Sequence, residues 1–61
     1  MLYIVRAYDT YSDMYEYEYG HLNHAEEHFE REESADIIEY NQGKETILKR
    51  KMCGKEITTQ N

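Results

Sequence analysis

Met14-Tyr15-Glu16-Tyr17-Glu18-Tyr19-Gly20 alternates between aromatic and acidic residues and stops at a glycine. A period of two is the signature of a β-strand. It places Tyr15, Tyr17 and Tyr19 on one face and Glu16 and Glu18 on the other. Upstream, Leu2-Tyr3-Ile4-Val5-Arg6-Ala7-Tyr8 is rich in β-branched and aromatic residues and reads as a second strand. Between them, Asp9-Thr10-Tyr11-Ser12-Asp13 has turn chemistry, since Asp and Ser side chains bond nearby backbone. The N-terminal third is therefore expected to be a hairpin.

Downstream the period changes. Asn23 is placed to cap a helix, with Glu26 three residues on in a variant of the capping box. Glu26 and Glu27 then fall in a first turn that favours negative charge. Ala25 and Phe29, four apart, share a narrow apolar stripe that Leu22 extends. The predicted helix runs from His24 to about Glu33, short enough to need a sheet to pack on. Beyond it, Ala35-Asp36-Ile37-Ile38-Glu39-Tyr40 and Glu45-Thr46-Ile47-Leu48-Lys49-Arg50-Lys51-Met52 flank Asn41-Gln42-Gly43-Lys44, a second hairpin. Closing it on Gln42-Gly43 sets Ile38 opposite Ile47 and Ile37 opposite Leu48. One aliphatic pair can pack under the helix; the other needs a second subunit or a bound protein. The expected fold is α+β, in the order β-β-α-β-β: one antiparallel sheet with a helix on one face. Residues 1–53 would form the single domain and 54–61 a polar, flexible tail.

Composition limits the chemistry. The chain has 61 residues, 7 Lys+Arg against 13 Asp+Glu, and a formal net charge of −6. No run of 18 or more apolar residues exists to span a membrane. The opening Met-Leu-Tyr-Ile-Val, followed at once by Arg6, is too short for a signal peptide. The lone Cys53 cannot form an internal disulfide or a four-cysteine zinc site, and suits a reducing cytoplasm. The acids crowd residues 1–40, whereas Lys44, Lys49, Arg50, Lys51 and Lys55 all follow residue 40. Such an acidic body repels nucleic acid and attracts basic surfaces. Its plainest meaning is solubility.

Candidate chemistry is sparse. His24 and His28 are four apart and could share an ion, with His21 or a glutamate as a third ligand. The zinc-protease pattern needs Glu directly after the first histidine, where Ala25 stands, so no metal is expected. Nor is a cofactor: there is no Gly-rich phosphate loop. Catalysis by carboxylates needs two of them in contrasting environments, and a row of glutamates on a short helix is uniform. The chain is therefore expected not to be an enzyme. Lys49-Arg50-Lys51 would be split across two faces of a strand, and the acidic body opposes phosphate, so direct nucleic-acid binding is disfavoured.

What remains is an acidic surface beside apolar residues. Glu26, Glu27, Glu30, Glu33, Asp36 and Glu39 are expected to form a negative band over the helix and the next strand, standing in for phosphates. Tyr15, Tyr17 and Tyr19 would serve as core or as anchors, having an apolar ring and a hydroxyl tip. Steering by the band would speed encounter with a basic groove.

The segment order resembles the small uracil-DNA glycosylase inhibitors of Bacillus phages. The likeness lies in Tyr15-Glu16-Tyr17 before a glycine, a short helix, and Ala35-Asp36-Ile37-Ile38 entering a terminal hairpin, within residues 14–51. Small phage anti-CRISPR proteins are similar in size and acidity. The resemblance implies a dimeric inhibitor that blocks the DNA groove of a host enzyme in the cytoplasm of an infected bacterium. Here the helix is richer in Glu, and Phe29 is its only aromatic residue, so the family's pocket residues have no individual counterparts. The competing expectation is a self-associating structural or regulatory module without DNA mimicry.

Overall fold

The computed structural model describes residues 1–9 and 13–57. Within these residues five strands and one helix follow in the order β1 (Leu2–Tyr8), β2 (Met14–Tyr19), α1 (Leu22–Arg31), β3 (Ala35–Asn41), β4 (Lys44–Met52) and β5 (Lys55–Ile57). All pairings are antiparallel, and the strands lie in the order β2-β1-β3-β4-β5. The α+β class and both expected hairpins are present; the order gains a strand. β5 falls in the segment expected to be a tail, and residues 58–61 lie outside the described residues. So does the Thr10-Tyr11-Ser12 centre of the expected first turn. The ends of that turn are joined: Asp13 N–H donates to Asp9 Oδ1 at 2.9 Å, and Asp9 N–H donates to the Asp13 carbonyl at 3.0 Å.

β2 and β3 flank β1, so they run parallel to one another, and α1 is the crossover between them. The crossover carries the helix over one face of the sheet. There Val5, Ala7, Ala25, Phe29, Ala35 and Ile37 form the core, with Tyr3, Tyr19, Leu22 and Leu48 packed around it. Ala7 and Ala35 are cross-strand neighbours, and this small pair leaves room for the fully buried Phe29.

The helix begins earlier than a cap at Asn23 predicts. His21 is the N-cap, without a side-chain cap bond, and no acid lies in the first turn. Burying Leu22 against the core outweighs the hydrogen bond that Asn23 would have made. A second departure lies in β4. Ile38 pairs with Ile47 as expected, but Ile37 pairs with Lys49, because Leu48 forms a bulge. In a bulge two residues oppose one, so the alternation resets. Leu48 joins the helix-side core, Lys49 and Lys51 turn toward the helix, and Arg50 turns to the opposite face.

Two hairpin turns share one conformation. Gln42 and Gly43 have φ of 53° and 79°; Cys53 and Gly54 have 52° and 80°. Paired positive φ values match the right-handed twist of the flanking strands. The second turn, which creates β5, is stitched to the loop after α1. Cys53 N–H donates to Ser34 Oγ at 3.0 Å and Gly54 N–H to the Glu33 carbonyl at 2.8 Å.

Candidate functional site

The helix side carries most of the predicted site residues. Tyr15, Tyr17 and Tyr19 oppose Ala7, Val5 and Tyr3, which places all three on the helix side of the edge strand β2. Tyr19 is half-buried, while Tyr15 and Tyr17 on the edge strand stay exposed, Tyr17 even though it touches His28 of α1. Tyr15 and Tyr17 line an open cleft of about 710 Å³ with Arg31, Glu32, Glu33 and Cys53.

A chain of hydrogen bonds forms one wall. The Tyr19 hydroxyl lies 2.7 Å from His28 Nδ1, and His28 Nε2 lies 2.7 Å from Glu32 Oε2. In the neutral imidazole, a donor at Nε2 facing the carboxylate makes Nδ1 the acceptor of the Tyr19 proton. The Tyr17 ring meets the same imidazole edge-on, with centroids 4.6 Å apart. The connectivity is that of an oriented base on a hydroxyl, and the Tyr19–His28 bond also fastens α1 to β2. The His28–Glu32 spacing of four residues was legible in the sequence and was not singled out there. His21 and His24 stack edge-on at 5.4 Å, on a part of the helix separate from this chain. Among the described residues, no three metal-capable side chains converge.

The acidic band is only partly assembled. Glu27 and Glu30 are exposed on α1 and Glu33 borders the cleft, none of them in an ion pair among the described residues. Glu39, half-buried between Tyr3 and Thr46, lies on the same side of the sheet. Glu26, by contrast, is held by Lys49 at 3.2 Å. Asp36 leaves the band altogether. Its strand parity sends it to the opposite face, where its side chain is 5% exposed and bonded to Arg50 Nε at 3.0 Å.

No helix among the described residues covers that opposite face, where the sequence placed no site residue but left an aliphatic pair, Ile38 and Ile47, in need of a second subunit or a bound protein. A row of charges crosses four strands there. Glu16 pairs with Arg6 at 2.7 Å, Arg6 neighbours Asp36, and Asp36 pairs with Arg50. Arg6 also reaches Glu45 at 3.8 Å, and the Tyr8 hydroxyl donates to Asp36 Oδ2 at 3.1 Å. The Arg6 guanidinium is raised above its ordinary value, chiefly by the Glu16 hydrogen bond, and Arg50 likewise by Asp36. The Tyr8 phenol is pushed up by burial first and by the Asp36 charge second. Ile4, Ile38 and Ile47 form the adjacent apolar row. No helix among the described residues is long and apolar enough to cross a membrane. No family model, curated protein or solved structure matches the chain.

Proposed function

We propose that this chain is a non-enzymatic binding protein that docks its acidic helix side on the basic, nucleic-acid-binding surface of a partner enzyme and so competes with DNA. One observation carries the reading: Glu27, Glu30 and Glu33 are exposed with none in an ion pair among the described residues, α1 packs on the sheet face that bears Tyr15 and Tyr17, and Glu33 shares a cleft with those two exposed rings. Such an arrangement supplies long-range steering from the carboxylates and a desolvated anchor from the rings. The acids involved are fewer than six, because Asp36 and Glu26 are engaged within the fold. A phage-type inhibitor of a host uracil-DNA glycosylase or CRISPR effector fits this chemistry.

The test is affinity capture from a bacterial lysate on the immobilised chain, with and without competing duplex DNA. A nucleic-acid enzyme released by DNA, and captured more slowly after charge reversal at Glu27 and Glu30, supports the reading. An on-rate that ignores both charges at low salt, or a partner indifferent to DNA, overturns it.

A further inference from the structure

We infer that two copies of this chain pack face to face through the helix-free side of the sheet, about a two-fold axis that runs parallel to the strands between β1 and β3. The inference does not rest on the acidic helix side, and either can fail without the other.

The charge row dictates the geometry. Read across β2, β1, β3 and β4 it runs Glu16, Arg6, Asp36, Arg50, so the signs alternate. A two-fold contact presents the same patch on both copies. Rotation about an axis parallel to the strands reverses the row, so Glu16 meets Arg50 of the second copy and Arg6 meets its Asp36. All four facings are attractive. Rotation about an axis along the row would instead set Arg6 over Arg6 and Asp36 over Asp36, which repels. The first axis also keeps the strand directions of the two sheets aligned, the common packing of sheet on sheet.

Apolar residues flank the row on both sides, as such a contact requires. On one side Ile4 would meet Ile38 of the second copy, with Tyr40 and Ile47 beyond. On the other lie Tyr8, Met14 and Met52, the last two 53% and 56% exposed. These exposed side chains are what a second sheet would cover. Within the row, Arg6 and Asp36 have side chains 22% and 5% exposed, whereas the terminal Glu16 and Arg50 have 44% and 43%. The most hydrated charges thus sit toward the rim, where they set register without a large desolvation cost. Four strands at about 4.8 Å spacing and about six residues long give a face of roughly 19 by 20 Å. Two such faces bury roughly 760 Å², below the size of stable interfaces and in the range of weak, transient contacts, so a weak dimer, with a Kd of about 100 µM to about 1 mM, is expected.

Sedimentation equilibrium of the full chain, from about 10 µM to about 1 mM, tests this. The expected result is a monomer–dimer equilibrium that weakens as salt rises. Glu16→Arg and Arg50→Glu should each weaken the dimer about tenfold or more, since each sets like charges together twice. Mixing the two variants should restore it as a heterodimer, because every facing becomes attractive again; restoration also shows that both chains fold. Ile47→Glu, at an exposed edge of the patch and facing Glu18 of the second copy, should weaken it independently. A chain that stays monomeric at about 1 mM leaves this face to some other partner and overturns the inference. So does a dimer indifferent to all three variants, or a mixture that fails to re-form it.

Discussion

Lys51 Nζ donates to the Phe29 carbonyl at 3.0 Å and stands 4.7 Å from the centroid of the ring of the same residue. Its second acceptor is the Glu30 carbonyl at 3.3 Å. Carbonyls in the last turn of a helix lack the usual donor four residues on (the Phe29 carbonyl takes the Glu32 N–H instead, at 3.2 Å), and the negative end of the helix dipole favours a cation there. This side chain, 7% exposed, therefore ties β4 to the end of α1. Lys51→Met keeps the apolar stem and removes the ammonium. Two charge-assisted hydrogen bonds would be lost, for a destabilisation of about 1.5–3 kcal/mol. In a domain this small that lowers the melting temperature by roughly 6–24 °C. A methionine variant that melts with the native chain would show that the amine contributes nothing to the tie.

The bond from Tyr8 to Asp36 gives stability a dependence on alkaline pH. Burial and the neighbouring carboxylate raise the Tyr8 phenol above its ordinary value. A group whose folded value is raised contributes stability that is fully present below its unfolded value, near pH 10, and is lost as pH climbs through the folded one. Stability should fall above about pH 10 more steeply in the native chain than in Tyr8→Phe. Near neutrality the variant should be weaker by about 0.5–1 kcal/mol, for one hydrogen bond at a half-exposed ring. Urea unfolding at the two pH values measures both. Parallel slopes would assign the alkaline limb to other tyrosines.

Elements with a strong local code were legible in the chain itself. The strict alternation of Met14 to Tyr19 and the Gln42-Gly43 turn both appear where the residues place them. β5 was not, because Lys55-Glu56-Ile57 has no buried residue and is held by the turn at Cys53-Gly54 and by backbone pairing. The bulge at Leu48 was hidden for a different reason. A regular β4 would have sent Arg50 to the helix side and Lys49 and Lys51 away from it. The end of α1 and the Glu26 carboxylate take the two lysines, and Asp36 takes the arginine, so distant partners select the register. Period two alone separates Asp36 from Glu39. The face covered by the helix had to be known before the acidic band could be seen to divide.

Gln42 and Cys53 both occupy the left-handed region ahead of a glycine. A side chain with a β-carbon costs about 1–2 kcal/mol there, and asparagine is among the few residues that visit it routinely. Gln42→Asn and Cys53→Asn should therefore each stabilise the fold by about 0.5 kcal/mol, and Gly43→Ala and Gly54→Ala should destabilise it by about 1 kcal/mol. Thermal melts of the four variants test this together. A Cβ added to either glycine meets nothing within 4 Å, so any loss reflects backbone conformation alone. An alanine variant as stable as the native chain would refute the strain argument at that turn.

The pair formed by Glu26 and Lys49 bears on the proposed binding face. Both side chains are over a third exposed, so the pair should stabilise the fold by no more than about 0.5 kcal/mol. Its electrical effect is larger, because Lys49 offsets one carboxylate beside the exposed Glu27 and Glu30. Lys49→Gln removes that counter-charge without altering the fold. Against the enzyme captured in competition with DNA, this variant should associate about twofold to fivefold faster at low salt, and the gain should shrink as salt rises. Glu27→Gln should move the rate the opposite way, with little change in dissociation. Stopped-flow association at two ionic strengths separates the effects. If neutralising Lys49 and neutralising Glu27 leave the same rate, the helix side does not steer the encounter, and the acids there serve only to keep the surface hydrated.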